Sequence, residues 1–221
     1  MPTAILVDGG FFIKRYRSLY GFDHTPKIVA ETLHATLLKH LQDKNGVRRH
    51  ELYRLFYYDC PPLRKKAHNP ISGRAIDLAK SQEAKFRLAL HEELKRLRKV
   101  ALRLGYLAEK QADWVIKSDK VRALLKRELR LEDLTENDVV YDARQKGVDM
   151  RIGLDIASMA FKHQVDQIVL IAGDSDFVPA AKLARREGID FILDPMWCPI
   201  NPDLHEHIDG LKSVWPKPNK D

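Results

Sequence analysis

Two short runs of branched apolar residues, each followed closely by an aspartate, dominate the hydrophobic pattern of the chain. Residues 3–7 (TAILV) lead directly into Asp8, and residues 168–172 (IVLIA) lead through Gly173 into Asp174. Neither run alternates between apolar and polar positions, so each predicts a strand that is buried on both faces. Strands of this kind are typical of parallel sheets covered by helices on both sides.

The stretch from Asp166 to Met196 predicts a complete strand–helix–strand unit. After the apolar run, the helix is expected over Phe177–Glu187, with Ser175 or Asp176 as its N-cap, and Ile189–Leu193 gives the second strand. Such units form parallel sheets with right-handed crossovers. Ligand sites in open α/β sheets lie beyond the carboxyl ends of the strands, which is where the acids of this unit stand.

Helical spacing of apolar positions and turn residues divide the rest of the chain. Helices are predicted from Pro26 to about Asp43, from Gln82 to Arg98, at Lys120–Leu129, at Ile152–Phe161 and from Pro202 to about Leu211; strands are predicted at Glu51–Tyr58 and Val100–Leu107. Leu63–Ser81 is expected to be an exposed loop, Asp138–Lys146 a connector, and the terminal WPKPNKD loose. We expect one domain over 1–221, with its core at 3–211, a basic helical insertion at 63–135 and a loose tail at 212–221.

Composition narrows the class of protein. The 221 residues are 44% hydrophobic and 31% charged, which is typical of a soluble globular protein, and no apolar run approaches a membrane span. The chain opens on a strand rather than a signal peptide, so a cytoplasmic location is expected. Cys60 and Cys198 lack CxxC spacing, which argues against a zinc site or a disulfide framework. A net charge of +7 favours an anionic partner, nucleic acid first.

Four aspartates stand where predicted elements begin or end: Asp8, Asp149, Asp174 and Asp176. If the first strand neighbours the 168–172 strand, Asp8 and Asp174 converge at one edge of the sheet. Carboxylates gathered in one pocket repel one another unless a hard cation such as Mg²⁺ or Mn²⁺ neutralises them. A metal held this way in a basic protein suits phosphodiester chemistry.

Each acid also has a structural interpretation. A single aspartate after a strand is most often a turn residue or an N-cap, and both Asp176 and Asp149 are plausible caps. Asp155 is a secondary site candidate, while Asp59 precedes two prolines and is interpreted as a turn residue. The sequence contains no Walker loop, GxSxG elbow or HExxH motif, which excludes several common hydrolase classes.

Three segments resemble the NYN domain, in the LabA-like branch of the PIN-like nucleases: VDGGFFIKR, QKGVDMRIGLDI and VLIAGDSDFVPAAKLARREG. The likeness extends from about Thr3 to Leu211. It implies a three-layer α/β/α fold with a central parallel sheet of order 3-2-1-4-5, and a Mg²⁺ or Mn²⁺ site formed by Asp8, Asp149, Asp174 and Asp176 that acts on RNA. Gly10 departs from the family pattern, because many relatives have Asn there.

The resulting hypothesis is a metal-dependent ribonuclease, specifically an endonuclease acting on single-stranded or structured RNA. Asp8, Asp149 and Asp174 would hold the metal, while Asp176 would hold a second ion or orient the attacking water. Phosphate contacts are assigned to Lys14, Arg15, Arg17, Lys146 and Arg151, and Ser175 would offer a hydroxyl or backbone N–H. The alternatives are an RNA- or nucleotide-binding regulatory module that does not cleave, and a small-molecule phosphohydrolase. No membrane partner is expected, and the pattern leaves a homo-oligomer open.

Overall fold

A parallel six-stranded sheet forms the centre of the computed structural model, which describes residues 1–108, 112–143 and 145–218. The strands are β1 Pro2–Asp8, β2 Glu51–Asp59, β3 Lys66–His68, β4 Ala75–Asp77, β5 Val100–Leu104, β6 Tyr106–Leu107, β7 Asp113–Ile116, β8 Val139–Asp142, β9 Gln145–Lys146, β10 Gln167–Ile171, β11 Asp190–Asp194 and β12 Gly210–Leu211. The helices are α1 Gly9–Tyr20, α2 Pro26–Leu37, α3 Gln82–Arg96, α4 Ser118–Leu125, α5 Val148–Phe161, α6 Val178–Arg186 and α7 Pro202–Glu206.

The order of strands in the central sheet is β5-β2-β1-β10-β11-β12. Counting only these strands along the chain gives 3-2-1-4-5 followed by a sixth, so the predicted order is confirmed and one edge strand is added. All neighbours are parallel, and β1 lies between β2 and β10, with Leu6 opposite both Phe56 and Leu170. The aspartates at the ends of β1 and β10 therefore lie at the same edge of the sheet.

Helices cover both faces of this sheet and separate its core into two layers. Alternate residues of β1 point to opposite sides: Ala4 and Leu6 pack with α5, α6 and α7, whereas Ile5 and Val7 pack with α1, α2 and α3. All four are fully buried. This two-sided burial explains why the strand sequences lack alternation, and it confirms the three-layer α/β/α prediction.

Helix starts follow from capping chemistry. The Thr25 hydroxyl accepts a hydrogen bond from the N–H of Ile28, with Pro26 in the first turn of α2, and Ser81 accepts from Ala84 at the start of α3. The predicted helix from Pro26 continues beyond α2 as a 3₁₀ turn to Leu41. None of the helices in the described ranges is long and apolar enough to cross a membrane.

The region between β2 and α5 differs most from the prediction. The expected loop at Leu63–Ser81 contains an antiparallel hairpin of β3 and β4, and the expected connector at Asp138–Lys146 contributes β8 and β9. The short helix at Lys120–Leu129 is present, shifted to α4. These strands have two to four residues and half-exposed faces, so they carry too few apolar positions to produce a recognisable period.

The C-terminal segment is tied to the sheet. The predicted final helix ends at Glu206, and Gly210–Leu211 instead forms the sixth strand. The expectation of a loose WPKPNKD is wrong for Trp215, which is 3% exposed and packs against Phe12 and Tyr16. The last part of that segment, 219–221, lies outside the described residues.

Candidate functional site

Asp8 occupies the junction between β1 and α1. Its carboxylate oxygen Oδ1 accepts a hydrogen bond from the backbone N–H of Phe11 at 3.1 Å, so Asp8 serves as the N-cap of α1. The residue that follows must be glycine, because a Cβ on Gly9 would lie 2.6 Å from the carbonyl oxygen of Tyr58. This close approach places the start of α1 directly over β2 and fixes Asp8 at the carboxyl edge.

Asp174 occupies the equivalent position after β10. Its Oδ1 accepts the N–H of Asp176 at 3.2 Å and caps a 3₁₀ turn at Ser175–Phe177, which continues into α6. The prediction of Ser175 or Asp176 as the cap is therefore wrong, because the chain tightens into a 3₁₀ turn one step before the α-helix begins. A Cβ on Gly173 would lie 2.5 Å from the ring of Phe11, so the loops after β1 and β10 are packed together.

A groove of about 630 Å³ opens between these two loops. Asp8 and Asp174 both line it, as do Phe11 and Ser175; the remaining wall comes from Gly173, Cys198, Pro199 and Asn201. Two of the four predicted acids and Ser175 are thus brought to one concavity at the carboxyl edge, as expected for an open parallel sheet.

Asp149 interacts electrostatically with the acids that follow β10. It lies in the first turn of α5, whose N-cap is Gly147 in a left-handed conformation (φ 78°), so Asp149 is not the helix cap. Partial burial, followed by the negative charges of Asp174 and Asp176, raises the pKa of Asp149. The acids from three separate elements therefore act on one another.

The carboxyl group of Asp8 is the most strongly perturbed of the four. Burial is the main reason that its pKa rises from 3.8 to about 6, and the charges of Asp149 and Asp59 add to the rise. Hydrogen bonds from the backbone N–H groups of Phe11 and Gly10 oppose it. A negative charge on Asp8 therefore destabilises the folded protein. A cation bound beside Asp8 would offset that destabilisation.

In the described ranges, no group of three or more His, Cys, Asp or Glu side chains is already arranged to hold a metal ion. Asp8 and Asp174 each direct one carboxylate oxygen to a backbone N–H of their own turn. Mg²⁺ rarely needs a full protein cage, since it retains several waters and binds through one or two carboxylates and substrate phosphates. The oxygen donors present fit a hydrated hard cation, with Asp8, Asp149, Asp174 and Asp176 as its candidate ligands.

The five basic residues assigned to phosphate differ in their surroundings. Lys14 and Lys146 are exposed. Arg15 donates from Nε and Nη2 to the carbonyl oxygen of Met196, and Arg151 donates from Nη1 to that of Gly147. These two arginines hold loops that border the acids, and each guanidinium has further N–H groups that these bonds do not use.

Arg17 lies in the last turn of α1, about 12 Å along the helix from its start. Its Nη2 forms an ion pair with Glu83 at 2.7 Å, and its guanidinium stacks over the rings of Phe22 and Phe86. This residue therefore joins α1 to α3 in addition to any role in binding phosphate.

Asp59, at the end of β2, has a role that sequence reasoning missed. It is fully buried, and its two oxygens accept hydrogen bonds from Arg87 Nη1 at 2.7 Å and His91 Nε2 at 2.9 Å. The interpretation as a turn residue is wrong, because the guanidinium of Arg87 and the imidazole of His91, spaced four apart on α3, meet this carboxylate. That spacing on a helix facing the sheet was the available signal. Asp155 similarly accepts a hydrogen bond from Tyr58.

Acids at the carboxyl ends of neighbouring parallel strands, on a sheet covered by helices on both faces, define a nuclease-like α/β fold of the PIN-like type. Residues 76–195 match the NYN domain family, and because this stretch is more than half of the chain, the protein belongs to that family. The matched range contains Asp149, Asp174 and Asp176, whereas Asp8 precedes it. The LabA-like branch stays a prediction.

Among solved structures, that of a protein of unknown function from Vibrio parahaemolyticus aligns with 96% of this chain and 92% of its own. The two share 15% sequence identity, with a TM-score of 0.46. No curated protein matches the chain.

Proposed function

We propose that this protein is a divalent-metal-dependent ribonuclease that cleaves RNA internally at the groove between β1 and β10. The observation that carries the proposal is that Asp8 and Asp174, from neighbouring parallel strands, line one groove at the carboxyl edge of the sheet. Membership of the NYN domain family supports the nuclease class, and the net charge of +7 supports an anionic substrate.

Within this proposal, Asp8, Asp149 and Asp174 hold Mg²⁺ or Mn²⁺, and Asp176 holds a second ion or orients water. When bound, such an ion supplies a Lewis acid beside the scissile phosphate and lowers the pKa of coordinated water. The protein's own contribution is positional. Backbone N–H groups fix the Asp8 and Asp174 carboxylates, and the packing of Phe11 on Gly173 keeps the two loops at a constant separation.

The basic residues bind the substrate strand in the proposal. Lys14 and Lys146, both exposed, contact phosphates directly, while Arg15 and Arg151 act from helices α1 and α5 and also stabilise the loops at Met196 and Gly147. Ser175 lines the groove beside Asp174 and offers its hydroxyl to a phosphate oxygen. Contacts of this kind set affinity and orientation but not sequence preference.

Two alternative functions would use the same groove without cleaving RNA. A regulatory module would bind RNA or a nucleotide there without cleaving it, and Gly10, in the place where many relatives carry Asn, favours that alternative. A small-molecule phosphohydrolase would turn over nucleotides and leave RNA intact. Incubating the purified protein with labelled RNA and with nucleotides, in Mn²⁺ and in chelator, separates the three.

Asp174→Asn tests the site itself. Asn retains a side-chain oxygen that can accept the N–H of Asp176, so the turn should persist while one negative charge is removed. The metal-free variant should be as stable as the wild type or slightly more so, because repulsion with Asp149 is relieved. Its stabilisation by Mn²⁺ should shrink, since a ligand stabilises in proportion to its affinity for the folded state. RNA cleavage should fall by orders of magnitude.

Asp166→Asn is the matched control, because Asp166 is an exposed acid at the opposite end of β10. It should melt and cleave like the wild type, with and without Mn²⁺. Thermal melts of the three proteins beside one cleavage assay complete the test. Equal Mn²⁺-induced shifts in Asp174→Asn and wild type, together with unchanged cleavage, would remove Asp174 from the site.

A further inference from the structure

A second cavity, of about 270 Å³, lies beyond the end of β2, on the side of Asp8 opposite the groove. Its walls come from the 60–63 segment, from the start of α3 and from the strands inserted between β2 and α5. The lining residues are Cys60, Pro62, Leu63, Leu78, Ser81, Glu83, Ala84, Arg87, Leu107, Tyr141, Asp142 and Ala143. The metal and phosphate contacts proposed above do not use this cavity.

Sheet register places the cavity close to Asp8. Tyr58 is the partner of Asp8 in the β1–β2 pairing, and Cys60, in the cavity wall, follows two residues later. With strands about 4.8 Å apart and a rise of about 3.3 Å per residue, the Cα atoms of Asp8 and Cys60 are roughly 8 Å apart. A strand of nucleic acid that crosses Asp8 would therefore have the groove on one side and the cavity on the other.

The cavity body is apolar and one of its walls is aromatic. Leu63, Leu78 and Leu107 contribute aliphatic surface, and Tyr141 contributes its ring. That ring is held in place, because its hydroxyl donates to the carbonyl oxygen of Ala112 and accepts a hydrogen bond from Lys65 Nζ, and the ring makes an edge-to-face contact with Trp114. A rigid aromatic and aliphatic slot of this volume suits one flat ring system.

Opposite charges are fixed at the cavity rim. Arg87 uses Nη1 for Asp59 and Nε for Glu83, and its guanidinium carries further N–H donors. Burial acts to raise the pKa of Glu83, but hydrogen bonds from Arg17 and Arg87 hold it below its usual value, so this carboxylate stays charged. A rim with both a donor cation and an acceptor anion does not match a phosphate, which the carboxylate would repel. It matches the edge of a nucleobase, which carries donors and acceptors side by side.

We propose that this cavity binds one unpaired nucleobase of a single-stranded RNA, adjacent to the phosphate that lies at Asp8. The assignment of RNA rests on the proposed function, whereas binding of the base does not require cleavage. Recognition of this kind is ordinary for single-stranded RNA, in which a splayed base is stacked on side chains and hydrogen-bonded along its edge. The inserted strands β6 and β8 thereby acquire a function, since they form one wall of the cavity through Leu107, Tyr141 and Asp142.

The test measures binding of fluorescein-labelled single-stranded RNA of about 12 nucleotides, a typical site size, by anisotropy in EDTA so that no cleavage intervenes. Leu107→Trp places a larger side chain in the cavity wall and narrows the space for a base. Ile76→Trp is its matched control, because Ile76 is also a half-buried aliphatic residue of the inserted region and lines a neighbouring cavity of about 270 Å³. Thermal melts of both variants establish that they are folded. A parallel series of RNAs carries a single abasic position at each site in turn.

Wild type should lose about 10-fold in affinity at one abasic position, from the value of one stacked base. Leu107→Trp should bind intact RNA about 10-fold more weakly and should be insensitive to that abasic position, while Ile76→Trp should behave as wild type. If Leu107→Trp does not fold, the abasic series on wild type still decides, because a flat profile overturns the inference. Equal affinity and the same abasic profile in Leu107→Trp and wild type also overturn it. Base-dependent binding without cleavage in Mn²⁺ would support the inference while refuting the ribonuclease.

Discussion

Replacing Asp8 by Asn should stabilise the metal-free protein at neutral pH. The folded-state pKa of Asp8 is about 6, above the ordinary value of 3.8, mainly because the carboxyl group is buried. The folded state therefore binds more protons than the unfolded chain between these two values, and stability falls as pH rises through that window. Above pH 6 the whole penalty is present, and below pH 3.8 it has disappeared.

The size of the effect follows from the shift. A difference of about 2 pKa units corresponds to about 3 kcal/mol at 1.36 kcal/mol per unit. Asn cannot ionise but keeps an oxygen that accepts the N–H of Phe11, and Asn and Asp are comparable N-caps, so the helix cap should survive. At pH 7.5 the variant should gain up to about 3 kcal/mol, or roughly 6–12 °C in melting temperature for a chain of this length.

Urea denaturation in EDTA at pH 7.5 and pH 4 measures the difference. The gain of Asp8→Asn over wild type should be large at pH 7.5 and should shrink towards zero at pH 4. Asp23→Asn is the control, because Asp23 is exposed in the loop before α2 and should give the same small difference at both pH values. A variant that is equally or less stable than wild type at pH 7.5 would refute the argument that burial penalises the Asp8 charge.

Two further predictions follow from other contacts. Asp194→Ala should destabilise the protein by about 3–5 kcal/mol, since it removes the acceptor of the N–H groups of Met196 and Val214 and leaves the buried side chain of His40 unpaired. Urea denaturation followed by tryptophan fluorescence measures the loss of stability. A loss below 1 kcal/mol would contradict this prediction. Lys14→Ala should reduce the slope of log K against log salt for single-stranded RNA by about 0.7, whereas an unchanged slope would remove Lys14 from the phosphate contacts.

The central sheet was predictable from the sequence because strands buried on both faces are continuous apolar runs. The TAILV and IVLIA runs are apolar at every position that a half-exposed strand would leave polar, so they predict a parallel sheet covered on both faces. Each run leads into an aspartate, so the edge of the sheet that bears Asp8 and Asp174 also follows from the residues. The order of the five predicted strands came from the family resemblance. The sixth strand was not predictable, because Gly210–Leu211 is held by its pairing with β11 and carries no period of its own.

Sequence reasoning failed where partners are distant along the chain. β7 pairs with β8 across the intervening α4, and neither strand has more than four residues. Asp59 is separated by about thirty residues from Arg87 and His91, so nothing local distinguished it from a turn residue. Trp215 is followed by Pro216 and Pro218, which favoured a loose tail, yet it contacts helix α1 from the far end of the chain. In each case long-range contacts override a weak local preference.

The two kinds of acid at the carboxyl edge explain where a cation would be accepted. Asp59 and Asp8 end neighbouring strands and Asp174 follows the next strand, but of the three only Asp59 is paired with side chains of α3, those of Arg87 and His91. At Asp8, burial and the charges of Asp149 and Asp59 raise the pKa instead. A carboxylate that is paired within the protein does not need an added cation, whereas an unpaired buried carboxylate destabilises the fold until an added positive charge offsets it. The same edge of the sheet is therefore divided into a structural ion pair on the β2 side and a charged groove on the β10 side, and under the proposed function the metal and the scissile phosphate belong to the second.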